Sequence, residues 1–287
     1  MRNIVTTIVL SAAVLANAQT EVLQSSYSFS DGDHPTVVVG FDNSDADAVE
    51  NWYKNQLKDI SKDVSSKKEL RAQGARVPEV APDTMTVLCK AEQGKKSTRV
   101  MLHLAFRYHG NWISKDGDDQ LVKGAERYAY MLAVRYKKQV LEAVLGNEQK
   151  SMGKMESDLA GLEKEKARAE NGIEKNKSKG QEATGEKAKA EKDLKDNETS
   201  VASKHAAMGT NPTEEEAKQF QELVKDGTKL KEKIAKETKN ISDAEAKVKE
   251  LEDEVKKLSS DIEVKRREVE EQKKKVEDAQ KAAGGVN

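Results

Sequence analysis

Cysteine is almost absent from this chain: Cys89 is the only one. No intramolecular disulfide framework can form, although an exported chain would permit one, and no cysteine stands where a lipoprotein anchor needs it. Within residues 84–90, Cys89 shares a strand face with Met85 and Val87, the setting of a small buried hydrophobe. Aromatic residues are scarce, at 4%, and unevenly placed, with only Phe220 beyond Tyr136. A compact core is therefore expected only in the first part of the mature chain, roughly 125 residues, which suffices for one domain. Charge of one sign is lacking as well. Lys and Arg number 50 against 51 Asp and Glu, a formal net charge of −1, so no basic field is offered to nucleic acid or to an anionic membrane.

Long hydrophobic runs are missing too. The one apolar run of note extends from Ile4 to Ala16, broken by Thr6, Thr7 and Ser11, with Arg2 before it and Ala16-Asn17-Ala18 ahead of Gln19. Basic start, apolar middle and small-residue cleavage site are the parts of a secretory signal peptide. A run of about 13 residues is short of the roughly 20 a helix needs to cross a bilayer. The expectation is an exported chain, periplasmic or secreted, with no integral membrane segment after cleavage.

What is abundant is charge: Asp, Glu, Lys and Arg make up 35% of the chain. With alanine and leucine they give the composition of long helices and coiled coils. Reading every seventh residue from Phe220 gives Gly227, Ile234, Ile241, Val248, Val255, Ile262, Val269 and Val276. The set three residues on is Leu223, Leu230, Glu237, Ala244, Leu251, Leu258, Lys265, Gln272 and Ala279. Together they form an a/d seam of about nine heptads. The preceding segment keeps the period with a poorer seam, in which Met152, Met155, Leu159, Leu162, Ala169, Ile173, Ala183, Ala190, Leu194 and Val201 alternate with Lys166, Asn176, Gly180, Lys187 and Asn197. Its glycines cost helix stability, roughly 1 kcal/mol each against alanine.

Between the arms, Gly209 stands where a helix end favours a left-handed residue. A new helix starts either from Asn211 with Pro212 in its first position, or from Thr213 with Glu216 reaching back. A short link favours antiparallel neighbours. With the turn near residue 210, facing positions sum to about 420, which sets Val248 against Ile173, Leu258 against Leu162 and Ile262 against Leu159. The hairpin would span roughly 90 Å. Nearer the turn, Ile234 and Ile241 face Lys187, Ala183 and Gly180, so that stretch is expected to be thinner. The rival arrangement is a parallel homodimer through the same seam.

The first part of the mature chain reads as an α+β head. Strands are expected at residues 22–29 and 36–41, separated by the turn cluster Asp31-Gly32-Asp33-His34-Pro35. A helix follows, capped by Ser44 or Asp45 and carrying Val49, Trp52, Tyr53, Leu57 and Ile60. Further strands are expected at 67–77, 84–91 and 98–108. In the last, Val100, Leu102, Leu104 and Phe106 lie on one face and Met101, His103, Ala105 and Arg107 on the other. Leu121, Ala125, Tyr128, Leu132 and Tyr136 then open a long helix that closes the core. The fold expected is a mainly antiparallel sheet with helices on one face, followed by a long antiparallel coiled-coil hairpin. The layout is a signal peptide at 1–18, the head at 19–146, a first arm at 147–208, a turn at 209–213, a second arm at 214–281 and a flexible tail at 282–287.

No phosphate loop, zinc signature, nucleophile elbow or dinucleotide fingerprint occurs at its required spacing. His34, His103, His109 and His205 form no ligand cluster in the sequence. The acids at 42–47 and 116–119 precede helices, where they stabilise the first turn, and neither run has the spacing of a calcium loop. Paired carboxylates among Asp31, Asp33, Asp42 and Asp45 would need a separation that sequence does not supply. Asn197 and Asn240 match glycosylation acceptors within helices. No catalytic, cofactor-binding or metal-ligating residue is assigned. The expected function is that of a non-enzymatic structural or interaction protein with a protein partner, its head a binding module and its hairpin a spacer or assembly element. The alternative is a periplasmic holdase-type chaperone that uses the arms.

Overall fold

The computed structural model describes residues 21–209 and 212–286. The proposed signal peptide therefore lies outside the described residues, as does the centre of the interhelical turn. In chain order the elements are β1 (Val22–Phe29), β2 (Gly32–Asp42), α1 (Ala46–Ile60), β3 (Asp63–Ser66), β4 (Leu70–Ala75), β5 (Met85–Gln93), β6 (Arg99–Tyr108), β7 (Asn111–Trp112), α2 (Asp119–Ala207) and α3 (Glu214–Gly284). They form two compact units. One comprises the chain up to Ser151 together with residues from Gln272 onward, and the other is Met152–Glu271.

In the first unit, seven strands form one sheet in the order β1-β2-β6-β5-β4-β3, with β7 beside β6, and every pairing is antiparallel. Residues of even number on β6 and odd number on β2 and β5 turn to one face, where α1 and α2 cover them. Val39, Val87, Cys89, Leu102 and Leu104 are fully buried there with Val49, Tyr53 and Leu57 of α1 and Ala125, Ala129 and Leu132 of α2. Each fully buried large apolar side chain is worth roughly 1.5–3 kcal/mol. Burial pushes the Cys89 thiol well above its ordinary range, so it packs as a hydrophobe. Gly124 sets the approach of α2: a Cβ there would stand 2.5 Å from the Glu79 carbonyl oxygen.

The β1–β2 turn is shorter than expected, the strand expected at 67–77 covers only Leu70–Ala75, and two further strands, β3 and β7, join the sheet. The β1–β2 turn is only Ser30-Asp31, because Phe29 pairs with Gly32, and residues 32–35 belong to the strand. β3 carries one apolar residue, Val64, and is too polar to announce itself. It is held by pairing with β4, whose bulge between Ala72 and Ala75 places Gly74 at φ +64°. β7, two residues long, is formed by the return at His109-Gly110.

Asp45 caps α1, its carboxylate accepting from the Ala48 amide at 3.1 Å. Asp118 does the same for α2, accepting from the Gln120 amide at 2.8 Å. At the base of the long helices, Leu141, Val276 and Ala279 are buried. Gln272, only 3% exposed, donates to the Glu148 carbonyl oxygen at 3.1 Å.

The second unit is an antiparallel pair of helical segments. Every α3 position expected to point inward from residues 220 to 269 is buried or half-buried, and Ala169, Ile173 and Leu251 form a cluster with Val248 and Val255. The hairpin register is therefore the expected one. Asn197 pins it nearer the turn by donating to the Leu223 carbonyl oxygen at 3.1 Å. Asn197 is half-buried, and a cross-helix bond from such a position favours one register over its neighbours. The stretch around Gly180 is thin, as expected: a Cβ on Gly180 would lie 3.5 Å from the Ala244 Cβ. Clefts of about 450 and 660 Å³ flank it.

Of the two alternative starts for α3, the structure adopts Thr213. Its amide donates to the Glu216 carboxylate at 2.9 Å, and the Glu216 amide donates back to Oγ1 at 3.3 Å, a reciprocal capping box. The Thr213 amide and hydroxyl, both donating to that carboxylate, hold the Glu216 carboxyl below its usual range. Gly209 does not take the left-handed backbone expected of it. The end of α2 instead closes with the Met208 amide donating to the Lys204 carbonyl oxygen at 3.1 Å.

Candidate functional site

The helix-free face of the sheet is where polar chemistry gathers. β2 pairs with β6 only through residues 37–42, while residues 32–36 remain on β1. The ribbon therefore forks away from the sheet. Pro35 lies at the fork, and its lack of an amide hydrogen makes that position a poor continuation of a ladder. β7 pairs with the end of β6 that β2 leaves free.

The forked ribbon lies across the second face. Phe29 packs with Leu88 and Ala105 in a small separate core, flanked by Tyr27 and Trp112. Three contacts latch it. Asp31 accepts from Arg71, the Ser30 hydroxyl donates to Glu69, and the Tyr27 hydroxyl donates to Glu92 at 2.7 Å. Burial alone would raise the Asp31 carboxyl, but hydrogen bonds from Arg71 and His34 outweigh it and hold that carboxyl below its usual range. Burial and the Glu92 hydrogen bond push the Tyr27 phenol up to about 12.

Two histidines, far apart in sequence, lie on this face, each with its own partners. His34 Nε2 lies 2.9 Å from the Asp31 carboxylate, and its ring stacks on Trp112 with centroids 4.0 Å apart. His103 packs against Tyr27 at 4.5 Å. Its Nδ1 is buried without a hydrogen-bond partner, and burial lowers its pKa despite Glu92 at 3.8 Å. Nothing in the sequence announces this layer except the alternation of β6, which places His103 opposite the apolar face.

The other residues singled out from sequence are dispersed. His109 pairs with Asp83 at the surface, and His205 packs on Phe220. Asp42 faces Arg99 at 3.5 Å, Asp45 caps α1 and Asp119 pairs with Lys123. Among the described residues, no three of His, Cys, Asp and Glu gather as a metal-ligand set, and no helix is long and apolar enough to cross a membrane. Asn197 is committed to the seam, so a glycan there would require the helices to part. The Ser30 hydroxyl, next in sequence to Asp31, donates to Glu69. The arrangement holds a ribbon in place.

Beside the fork lies a cleft of about 630 Å³, walled by Ser26 of β1, Asp33 and Thr36 of β2, Lys115 and Asp116 of the link after β7, and Val122 of α2. Thr36 is 4% exposed and its Oγ1 has no hydrogen-bond partner. Comparison with protein-family models, curated proteins and solved structures found no match.

Proposed function

We propose that the chain is an exported, non-enzymatic interaction protein whose head binds a protein partner and whose hairpin serves as a spacer. The observation that supports this most is the self-sufficient seam. Inward positions of α3 meet α2 of the same chain, and the hairpin's register is pinned at Asn197. A helix pair satisfied in this way contributes length without requiring a second chain. Export rests on the signal-like residues ahead of β1.

The test is capture from the cell envelope by the full chain and by a variant shortened by matched three-heptad deletions, residues 166–186 and 235–255. Both forms are expected to retain the same partners. Partners lost on shortening would assign binding to the coil and sink the spacer reading. The holdase alternative draws on the thin stretch, where half-buried Ile234 and Ile241 adjoin small residues. It requires the full chain to suppress aggregation of an unfolded substrate, and inactivity at stoichiometric excess removes it.

A further inference from the structure

The two edges of the sheet are protected very differently. β3, at one edge, has four residues, begins with Asp63 and is flanked by Lys62, Lys67 and Lys68. Short strands and edge lysines are how sheets discourage further pairing. β1, at the other edge, has eight residues, VLQSSYSF, with no charge and no proline. Its register with β2 is unbroken from Val22 to Phe29, and it has no second strand neighbour among the described residues. Residues 23–26 are exposed, and Leu23 is 45% accessible. An edge of this kind offers a row of free backbone donors and acceptors to an incoming strand.

The cleft lies directly on this strand, because Ser25 and Ser26 form part of its wall. A strand added to β1 sends alternate side chains toward the face that carries Gln24 and Ser26, which is the side of Asp33 and Pro35 in the paired register. That side carries the carboxylates of Asp33 and Asp116, neither with an ion-pair partner among the described residues, against the single ammonium of Lys115.

A second copy of β1 does not fill this space. Antiparallel pairing of β1 with itself, faces matched about Ser25, sets Gln24 against Ser26 on the cleft side. Both side chains are neutral, and Gln24 already donates to Glu126 at 2.6 Å, so self-pairing brings no cation to Asp33 and Asp116. From the unprotected edge and the acidic cleft beside it, we infer that the head binds an extended segment of another polypeptide by strand addition to β1, with long basic side chains at alternate positions entering the cleft. This rests on the reading of the head as the binding module, and it names how that module recognises its partner.

Synthetic twelve-residue peptides alternating Thr with Lys, Gln or Glu test it against the full chain in fluorescence titrations. The Lys peptide is expected to bind about tenfold or more tightly than the Glu peptide. N-methylating one alternate set of its amides should cost about tenfold or more, while methylating the other set should leave affinity within about twofold. Ser26→Lys, which charges the edge, and Asp33→Asn, which removes an acid without touching the edge, should each weaken the Lys peptide. Ser65→Lys on β3 should not. Equal losses from both methylation sets, equal losses at β1 and β3, or no peptide binding would overturn the inference. So would a sedimenting dimer that Ser26→Lys dissolves, which would give the edge to a second copy. Partners captured from the envelope by both Ser26→Lys and the unaltered chain would defeat strand addition yet leave the interaction reading standing.

Discussion

Leu102 in the head and Ile234 in the coil both occupy positions that periodicity turns inward, yet Leu102 is fully buried and Ile234 keeps part of its surface in water. The difference lies in the number of neighbours. A sheet roofed by two helices surrounds a side chain, whereas a two-helix seam covers it from one direction. The head therefore draws its stability from apolar packing. The coil draws less from each residue and relies on polar locks such as Asn197 to hold its register.

The comparison is sharpest when both interiors are cut in the same way. Leu102→Ala should cost the head about 3 kcal/mol or more, read in urea melts followed by tryptophan fluorescence, since Trp52 and Trp112 both lie there. Ile262→Ala, at 5% exposure the best-buried isoleucine of the seam, should cost about 2 kcal/mol, read from helical circular dichroism. Equal losses at Ile262 and Ile234 would break the gradient along the seam. Thr213→Ala removes the capping box and should cost the coil about 1 kcal/mol, with tryptophan fluorescence unmoved. Gly161→Ala should stabilise the coil by a little under 1 kcal/mol, because nothing lies within 4 Å of the added Cβ.

Acid separates the units more gently. Burial lowers the His103 pKa beneath its usual 6.5, so below that pH the unfolded chain takes up a proton that the folded one does not. This contribution to stability is fully present above 6.5 and falls away as the pH drops toward the folded value. Asp31, held below its usual 3.8, adds a second loss as the pH falls from 3.8 through its folded value. The head's urea midpoint should decline from about pH 6.5 downward, and His103→Gln should remove the first step of that decline.

The coil was the more legible of the two regions. Its contacts repeat every seven residues, so Val248 and Ile173 could be matched from a turn position and an arithmetic sum, and both lie in one cluster. The head's main core was legible wherever alternation was clean, as on β6. What escaped was non-periodic. β3 is polar, β7 has two residues, and the latch joins Asp31 to Arg71 forty positions away and Tyr27 to Glu92 sixty-five away. The cleft escaped for the same reason, since its walls come from β1, β2, the link after β7 and α2. Side-chain patterns report which way a residue turns, but not where a ribbon leaves its sheet.

The discontinuity of the first unit fixes a timetable for its completion. Its strands and the start of α2 leave the ribosome first, but the segment from Gln272 onward, with buried Val276 and Ala279, comes last. At 5–20 residues per second the intervening residues delay it by on the order of ten seconds. Throughout that interval Glu148 lacks its Gln272 partner. A chain cut short anywhere in the coil stays in that unfinished condition, so the head is complete only once synthesis has passed Ala279.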